Sequence, residues 1–289
     1  MQLTIGMVCY NALKYTKLSI KSFEQVKTPY QLFVVDGGST DGTREWLDEN
    51  KIPNIKHDKN YGGPYAANDI FDHAFKNDGD QLLMVGNDTM TYPGAVDEMV
   101  RVMNESGADW VWANEMRVSD FIGLYPQYKK SNLFDEHYCL QKDYFADYTI
   151  FKPPDDKYYY RFRPVRDYRN FCLINKSLFD KIGYADVSYW PSGYWEDNDY
   201  CRRAYLSNAR AVKAEGAWFF HFWSRAAFET DIKDIYGQQL KSSATYYFKK
   251  WGGNVSDERF QIPFMEMPLK IDSREYEKDI VEFMLEGAK

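Results

Sequence analysis

The chain has 289 residues, 44% of them hydrophobic and 27% charged, and a formal net charge of −7; it is long enough to bury a substantial core, and its charge disfavours a general electrostatic grip on nucleic acid or anionic membrane. No window reaches the ~18 apolar residues of a membrane span, and no basic leader precedes an apolar run at the start, so the expectation is a cytoplasmic protein with no membrane span. Cys9, Cys139, Cys172 and Cys201 stand far apart with no C-x-x-C pair, which argues against a disulfide framework or structural zinc and for a reducing compartment.

Up to about residue 115, short apolar runs alternate with amphipathic segments, the pattern of a mainly parallel sheet with helices on both faces. "LTIGMVCY" (Leu3 to Tyr10) is the first strand, and Leu13, Ile20 and Phe23 mark one side of the helix after it. "QLFVVD" (Gln31 to Asp36) is the second strand, followed by a helix near "TREWLDEN", a short strand "NIKHD" and a helix through "YAANDIFDHAFKN". "QLLMVG" (Gln81 to Gly86) reads as a fully buried strand closed by a turn "NDTMTYPG", with Pro93 suited to the first turn of the helix "GAVDEMVRVMNE". "DWVWANEM" (Asp109 to Met116) is a further strand.

Between about Asp120 and Arg169 the rhythm gives way to a Tyr-, Pro- and charge-rich region, and a loop of that length is read as an insertion over a site. Pattern resumes with "FCLINKSLFDKIG", a turn "YWPSGYW", a helix "EDNDYCRRAYLSN" and a strand-like "RAVKAEGAWFFHFWS". A helical run "DIKDIYGQQLKSSATYYFKKW" is stopped by Gly252 and Gly253. The expected organisation is one domain over 1–225, split into halves 1–115 and 116–225 with the insertion at 120–169, and a helical tail over 226–289.

In open α/β sheets ligands bind outside the carboxyl ends of the strands, where Asp36 and Asp88 both fall. Carboxylates there suit a nucleotide base or ribose and a hard divalent cation. The segment after the first strand, "CYNALKY", lacks the glycines of a hydride-transfer dinucleotide site. Taken singly, Asp36 is a turn-forming residue before Gly37 and Gly38, and Asp41 a helix cap.

The string "VVDGGSTDGT" is more specific than either acid, and there the chain resembles the family 2 glycosyltransferases, the inverting group with the GT-A fold. "TIGMVCYN", "KNYGGPYAAND", "LLMVGNDTMTYPGAVDEMV" and "GYWEDNDYCRRA" are similar to further segments of that family, in family order and spacing, covering roughly residues 3–115 and 170–225. The resemblance implies a Rossmann-like α/β fold with an acceptor-side insertion and a C-terminal helical tail. It implies donor-nucleotide contacts from Asp36, Tyr10, Asn11, Asn60 and Gly62, and a divalent metal, Mn²⁺ or Mg²⁺, on Asp88. Where the family often has Asp-x-Asp this chain has Gly86-Asn87-Asp88, which puts Asn87 at the nucleotide in place of a carboxylate.

By the same resemblance His221 is a further metal ligand, or else a histidine packed among Trp218, Phe220 and Trp223. Asp197 is the expected general base, with Glu196 orienting acceptor or base; acids in a helix's first turn are also stabilised by its dipole alone. Arg202 and Arg203 pair with acids at helical spacing or touch a phosphate. Trp190, Tyr194 and Trp195 stack on the acceptor or serve as packing. The implied reaction moves a sugar from a nucleoside-diphosphate sugar, UDP-linked first, to a hydroxyl of a glycan or other acceptor. Because "KYYYRFRPVRDYR" mixes aromatic and basic residues, a hydroxylated DNA base is kept as an alternative acceptor. A nucleotidyltransferase and a non-catalytic nucleotide-sugar-binding protein are the rival readings.

Overall fold

The computed structural model describes residues 2–76, 79–124, 171–189, 194–225 and 236–273. Its strands are β1 (Leu3–Cys9), β2 (Tyr30–Asp36), β3 (Asn54–Lys56), β4 (Gln81–Gly86), β5 (Thr89–Thr91), β6 (Trp110–Arg117), β7 (Phe171–Asn175) and β8 (Ala211–His221). They form one sheet in the order β3-β2-β1-β4-β7-β6-β8-β5. Neighbours β3, β2, β1 and β4 are parallel, as are β6 and β8, while β7 runs against β4 and β6, and β5 against β8. The sheet is therefore mainly parallel, and β1 and β4 are apolar at almost every position because both their faces are covered.

The helices are α1 (Leu13–Ser22), α2 (Thr43–Glu49), α3 (Gly63–Lys76), α4 (Ala95–Ser106), α5 (Val118–Leu124), α6 (Lys176–Ile182), α7 (Glu196–Leu206) and α8 (Tyr236–Trp251). Alternation along the strands divides the core. Leu3, Ile5 and Met7 of β1 pack with Leu83 and Val85 of β4 against Val96, Met99 and Met103 of α4. On the other face Phe33, Val35, Leu82 and Met84 meet Ile70 and Phe71 of α3 and Tyr200 and Ala204 of α7. Helix α3 sits so close to β1 that a methyl group on Gly6 would lie 2.2 Å from Ile70 Cγ2. Gly6→Ala is expected to destabilise the fold by about 1–3 kcal/mol, as overpacking does; a urea unfolding midpoint equal to that of the wild type would refute this.

Two local expectations are corrected. "NDTMTYPG" is not simply a turn: Thr89–Thr91 is β5, paired with Thr89 opposite His221, and its partner strand lies some 130 residues away, beyond any local signal. Pro93 stands before Gly94, the N-cap of α4 at φ 78°, rather than inside the helix. The start of the proposed insertion is the helix α5, and 125–170 lie outside the described residues. In the tail, α8 ends at Gly252 (φ 68°), and its Tyr246, Tyr247 and Trp251 pack with Tyr189 and Trp195. Cys9, Cys172 and Cys201 are free thiols. No described helix is long and apolar enough to cross a membrane.

Candidate active site

The carboxyl ends of β1, β2 and β4 converge, and their turns are tied together. Asp36 closes β2 and is fully buried. Its Oδ2 accepts the backbone N–H groups of Gly38 (3.2 Å) and Ser39 (3.1 Å) and lies 3.5 Å from Arg44 Nε, while Oδ1 has no hydrogen-bond partner among the described residues. Leaving a buried acceptor unsatisfied costs about 1–3 kcal/mol; Asp36 is not itself among the residues that line the cavity, whereas its neighbour Gly37 is. Gly38 holds φ +88°, and any Cβ there would meet the Lys59 backbone at 2.8 Å, so only glycine lets this turn close against the Lys59–Gly62 loop. Asp41 is spent locally: Oδ1 accepts from Thr43 N (3.1 Å) and Thr43 Oγ1 (2.6 Å), and Oδ2 from Leu13 N (2.8 Å), fixing the starts of α1 and α2.

Tyr10, Asn60 and Gly62 line a cavity of about 360 Å³ with Gly37. Asn60 Oδ1 accepts from Gly62 N at 2.8 Å, which shapes the loop wall. Asn11 is placed differently. Held at φ 51°, it accepts from Thr40 N (2.7 Å) through Oδ1 and donates its backbone N–H to Ser39 Oγ (2.7 Å). Asn87 lines the cavity, but its Nδ2 donates inward to Asn11 O (2.8 Å) and Thr16 Oγ1 (3.0 Å). Both amides thus knit the turns that carry the pocket.

Pairing of β5 with β8 brings Asp88 to His221. Asp88 Oδ1 lies 3.5 Å from His221 Nε2, and Oδ2 accepts the backbone N–H of Arg225 (3.1 Å). A Cβ on Gly86 would approach Asp88 Oδ1 to 3.2 Å, so the glycine leaves that carboxylate room. On its other side His221 Nδ1 is 2.6 Å from Glu115 Oε1, and Glu115 lies 3.0 Å from Arg117 Nε. Burial opposes charge on His221, but Asp88 and Glu115 more than offset it and push its pKa up to about 9. Burial likewise raises Glu115, yet His221 and Arg117 bring it down to about 2; Asp88 is lowered against its own burial by His221 and Arg225.

This donor set fits a divalent cation. At a pKa of about 9 the ring carries a proton on each nitrogen, so Nε2 becomes a ligand only when a cation displaces its proton; Nδ1–H then stays with Glu115, the arrangement in which a carboxylate orients a ligating histidine from behind. No cluster of three or more His, Cys, Asp or Glu forms a ready-made metal cage among the described residues. Two protein ligands at an open site suit a cation shared with the oxygens of a substrate.

Tyr194, Trp195, Glu196 and Asp197, at and just before the start of α7, also line the cavity. Trp195 is the N-cap of that helix at φ 71°. Asp197 Oδ1 accepts from the N–H and side-chain amide of Asn198, both at 2.8 Å. Asp199 cannot share the work of a base, since it is fully buried and accepts from Arg203 Nε (2.8 Å), Trp251 Nε1 (2.9 Å) and Lys250 (2.7 Å). Arg203 thus pairs at i,i+4 and donates to Ile182 O and Tyr184 O, and Arg202 donates to Phe260 O in the tail; neither arginine lines the cavity. Trp190 lies outside the described residues.

Two supporting residues, Glu115 and Arg117, escaped sequence reasoning, and Trp223 was read there only as packing around His221. Glu115 and Arg117 sit beside His221 only through the pairing of β6 with β8, where Arg117 stands opposite His221. Trp223 is 49% exposed with φ 62°, and the Arg117 guanidinium lies 5.3 Å from its ring centroid. An exposed tryptophan at positive φ next to a polar centre was a signal available in "HFWSR" only after the strand was placed.

Comparison with curated proteins gave no match. Among solved structures, S. aureus TarS 1-349 in complex with UDP is similar at TM-score 0.54 and 16% identity, over 89% of this chain and 74% of that one. A longer TarS chain matches at TM-score 0.52, where this chain spans 44% of its length. The mannosyltransferase PcManGT from Pyrobaculum calidifontis, in complex with GDP-Man and Mn²⁺, is similar at TM-score 0.54 and 12% identity, over 86% of this chain and 64% of that one. These likenesses establish a shared GT-A-type fold. The sequence model of glycosyl transferase family 2 matches residues 4–183, well over half of the chain, and the protein belongs to that family.

Proposed function

We propose that the protein is an inverting, metal-dependent glycosyltransferase that moves a sugar from a nucleoside-diphosphate sugar to a hydroxyl of a glycan or other acceptor. The observation that carries this reading is that one cavity is lined by Tyr10, Gly37 and Asn60, by Asp88 and His221, and by Glu196 and Asp197. Asp36 Oδ1 is the acceptor for a ring N–H of the base, with Tyr10, Asn60 and Gly62 shaping that end. Uracil offers a single N–H there, and a UDP-sugar is the first choice; TarS structures hold UDP and UDP-GlcNAc, and PcManGT holds GDP-Man.

Asp88 and His221 hold a divalent cation, Mn²⁺ better than Mg²⁺ because an imidazole is among the ligands. When bound, such an ion neutralises charge on the departing diphosphate. Asp197 takes the proton from the acceptor hydroxyl as its oxygen bonds to the anomeric carbon. The bond from that carbon to the diphosphate oxygen breaks on the opposite face, the electron pair leaves with the diphosphate, and configuration inverts. Glu196 orients the acceptor hydroxyl or the base, and Tyr194 and Trp195 present rings to the acceptor.

Glu115 orients His221 from behind the cation. Glu115→Gln is expected to weaken Mn²⁺ affinity about 10–100-fold, the usual effect of losing such a partner; titration calorimetry giving an unchanged Mn²⁺ affinity would remove Glu115 from the site. The nucleotidyltransferase reading lacks support at the end of β1, where "CYNALKY" has no glycine-rich triphosphate segment. In a non-catalytic binder Glu196 and Asp197 would serve the helix dipole alone, whereas both line the cavity. The basic residues that motivated a DNA acceptor lie in 157–169, outside the described residues.

The test is a thermal-shift screen of UDP, GDP, dTDP and CMP, each with and without Mn²⁺, because a ligand that binds the native state raises the melting temperature. A metal-dependent shift with one nucleoside diphosphate is the expected result. No shift with any of them would overturn the donor site.

A further inference from the structure

Behind the cavity wall, α7 is fastened to α8 by a sealed cluster of two acids and two bases. Asp186, Asp199, Arg203 and Lys250 are all buried. Lys250 Nζ lies 2.5 Å from Asp186 Oδ2 and 2.7 Å from Asp199 Oδ1. Asp186 also accepts from Tyr246 Oη (3.1 Å) and Ser188 N (2.9 Å). Asp199 also accepts from Trp251 Nε1 (2.9 Å) and Arg203 Nε, and the Arg203 Nη atoms donate to Ile182 O (2.7 Å) and Tyr184 O (2.9 Å). The formal charges cancel within the cluster and its carboxylates are densely satisfied. Only that degree of pairing makes burial of four ions tolerable, and its best-attested use is to fix one arrangement of packed elements.

The arrangement fixed here is that of the helix bearing Glu196 and Asp197. Asp199 is two residues beyond Asp197. A second contact reaches the other side of the acids: Trp195, at φ 71° just before them, packs its ring on Tyr247 of α8 at a centroid distance of 5.4 Å. Tyr247 is itself held by donating to Glu258 Oε1 (2.6 Å). The first turn of α7 is thus gripped from both ends by one face of α8, and both helices lie beyond residue 183, where the family match ends.

We propose that Lys250 and Trp251 are positioning residues: acting through Asp199, they hold α7 so that Asp197 faces the cavity, which makes the tail helix a working part of the active site. The proposal takes the role of Asp197 from the glycosyl-transfer reading. The donor pocket is built on β1, β2, β4 and the Lys59–Gly62 loop, so loosening α7 should spare donor binding and damage turnover.

The experiment measures nucleoside diphosphate release from UDP-GlcNAc, UDP-glucose and GDP-mannose with Mn²⁺ and a panel of glycan acceptors whose hydroxyls take the sugar, for the full chain and for Lys250→Met, Lys250→Arg and Trp251→Phe. For Lys250→Met, kcat is expected to fall about 10–100-fold with the donor KM unchanged, as misplacement of a reacting group does, and Lys250→Arg should recover most of it. Trp251→Phe keeps the apolar packing and removes one hydrogen bond to Asp199, and serves if Lys250→Met does not fold; its kcat should fall about 3–10-fold at constant KM. Wild-type kcat in the variants, or a loss of donor affinity matching the loss of kcat, would overturn the proposal. If the wild type consumes none of the three donors, the functional reading is what fails. Hydrogen exchange then decides the clamp alone: faster exchange at 196–199 with α3 and β4 unchanged supports it, and unchanged exchange there overturns it.

Discussion

Asp197→Asn is expected to lower sugar transfer by about 10²–10⁴-fold, the usual contribution of a positioned general base, while the affinity for the nucleoside diphosphate stays at the wild-type value. Asparagine keeps the shape and still accepts from Asn198, so the start of α7 is preserved, but it cannot take a proton. Of the acids on that helix, Asp199 is enclosed and satisfied by Arg203, Lys250 and Trp251, which leaves Glu196 and Asp197 at the cavity. Steady-state kinetics with separately measured donor binding checks the split. Loss of donor binding along with turnover would assign Asp197 to the donor instead and pass the role of base to Glu196.

The second large effect is expected from Asp88→Ala. Stabilisation by UDP plus Mn²⁺, about 2.7 kcal/mol at a ligand concentration near 100 times Kd, should vanish, whereas the protein should fold, since β5 still pairs with β8 through its backbone. Removing Asp88 also leaves His221 with Glu115 as its remaining carboxylate neighbour, so the imidazole stays anchored but has no partner at Nε2 with which to hold the ion. A thermal-shift series in Mn²⁺ measures this. A variant that still responds to UDP only when Mn²⁺ is present would place the cation elsewhere.

How far the sequence carried depends on whether a feature is local. β4 was legible to the residue because a strand covered on both faces is an unbroken apolar run bounded by polar residues. The turn after β2 was legible as two acids at a strand end, but their division of labour was not. Asp41 turned out to be consumed by Thr43 and Leu13, and Asp36 keeps one buried oxygen without a partner; which acid has capacity to spare is a question of three-dimensional satisfaction. β5 was hidden because three residues carry no period of their own and are held by a distant partner strand. Glu115 and Arg117 were hidden for the same reason, since only the pairing of β6 with β8 lays His221 beside them. The charge cluster beneath α7 was the least legible of all. Nothing in "FKKW" singles out Lys250, and only the packing of α8 on α7 brings it to two aspartates.

The central claim is that Asp88, His221 and Asp197 serve one reaction on a nucleoside-diphosphate sugar. The most direct test is to incubate the protein with UDP-GlcNAc, UDP-glucose or GDP-mannose and a glycan acceptor panel, with Mn²⁺ or with EDTA, and to read the anomeric configuration of any product by NMR. The account predicts that one donor is consumed only with Mn²⁺ and that its sugar appears on the acceptor with the configuration inverted. Consumption undiminished by EDTA, a product of retained configuration, or no consumption of any donor with or without metal would contradict it.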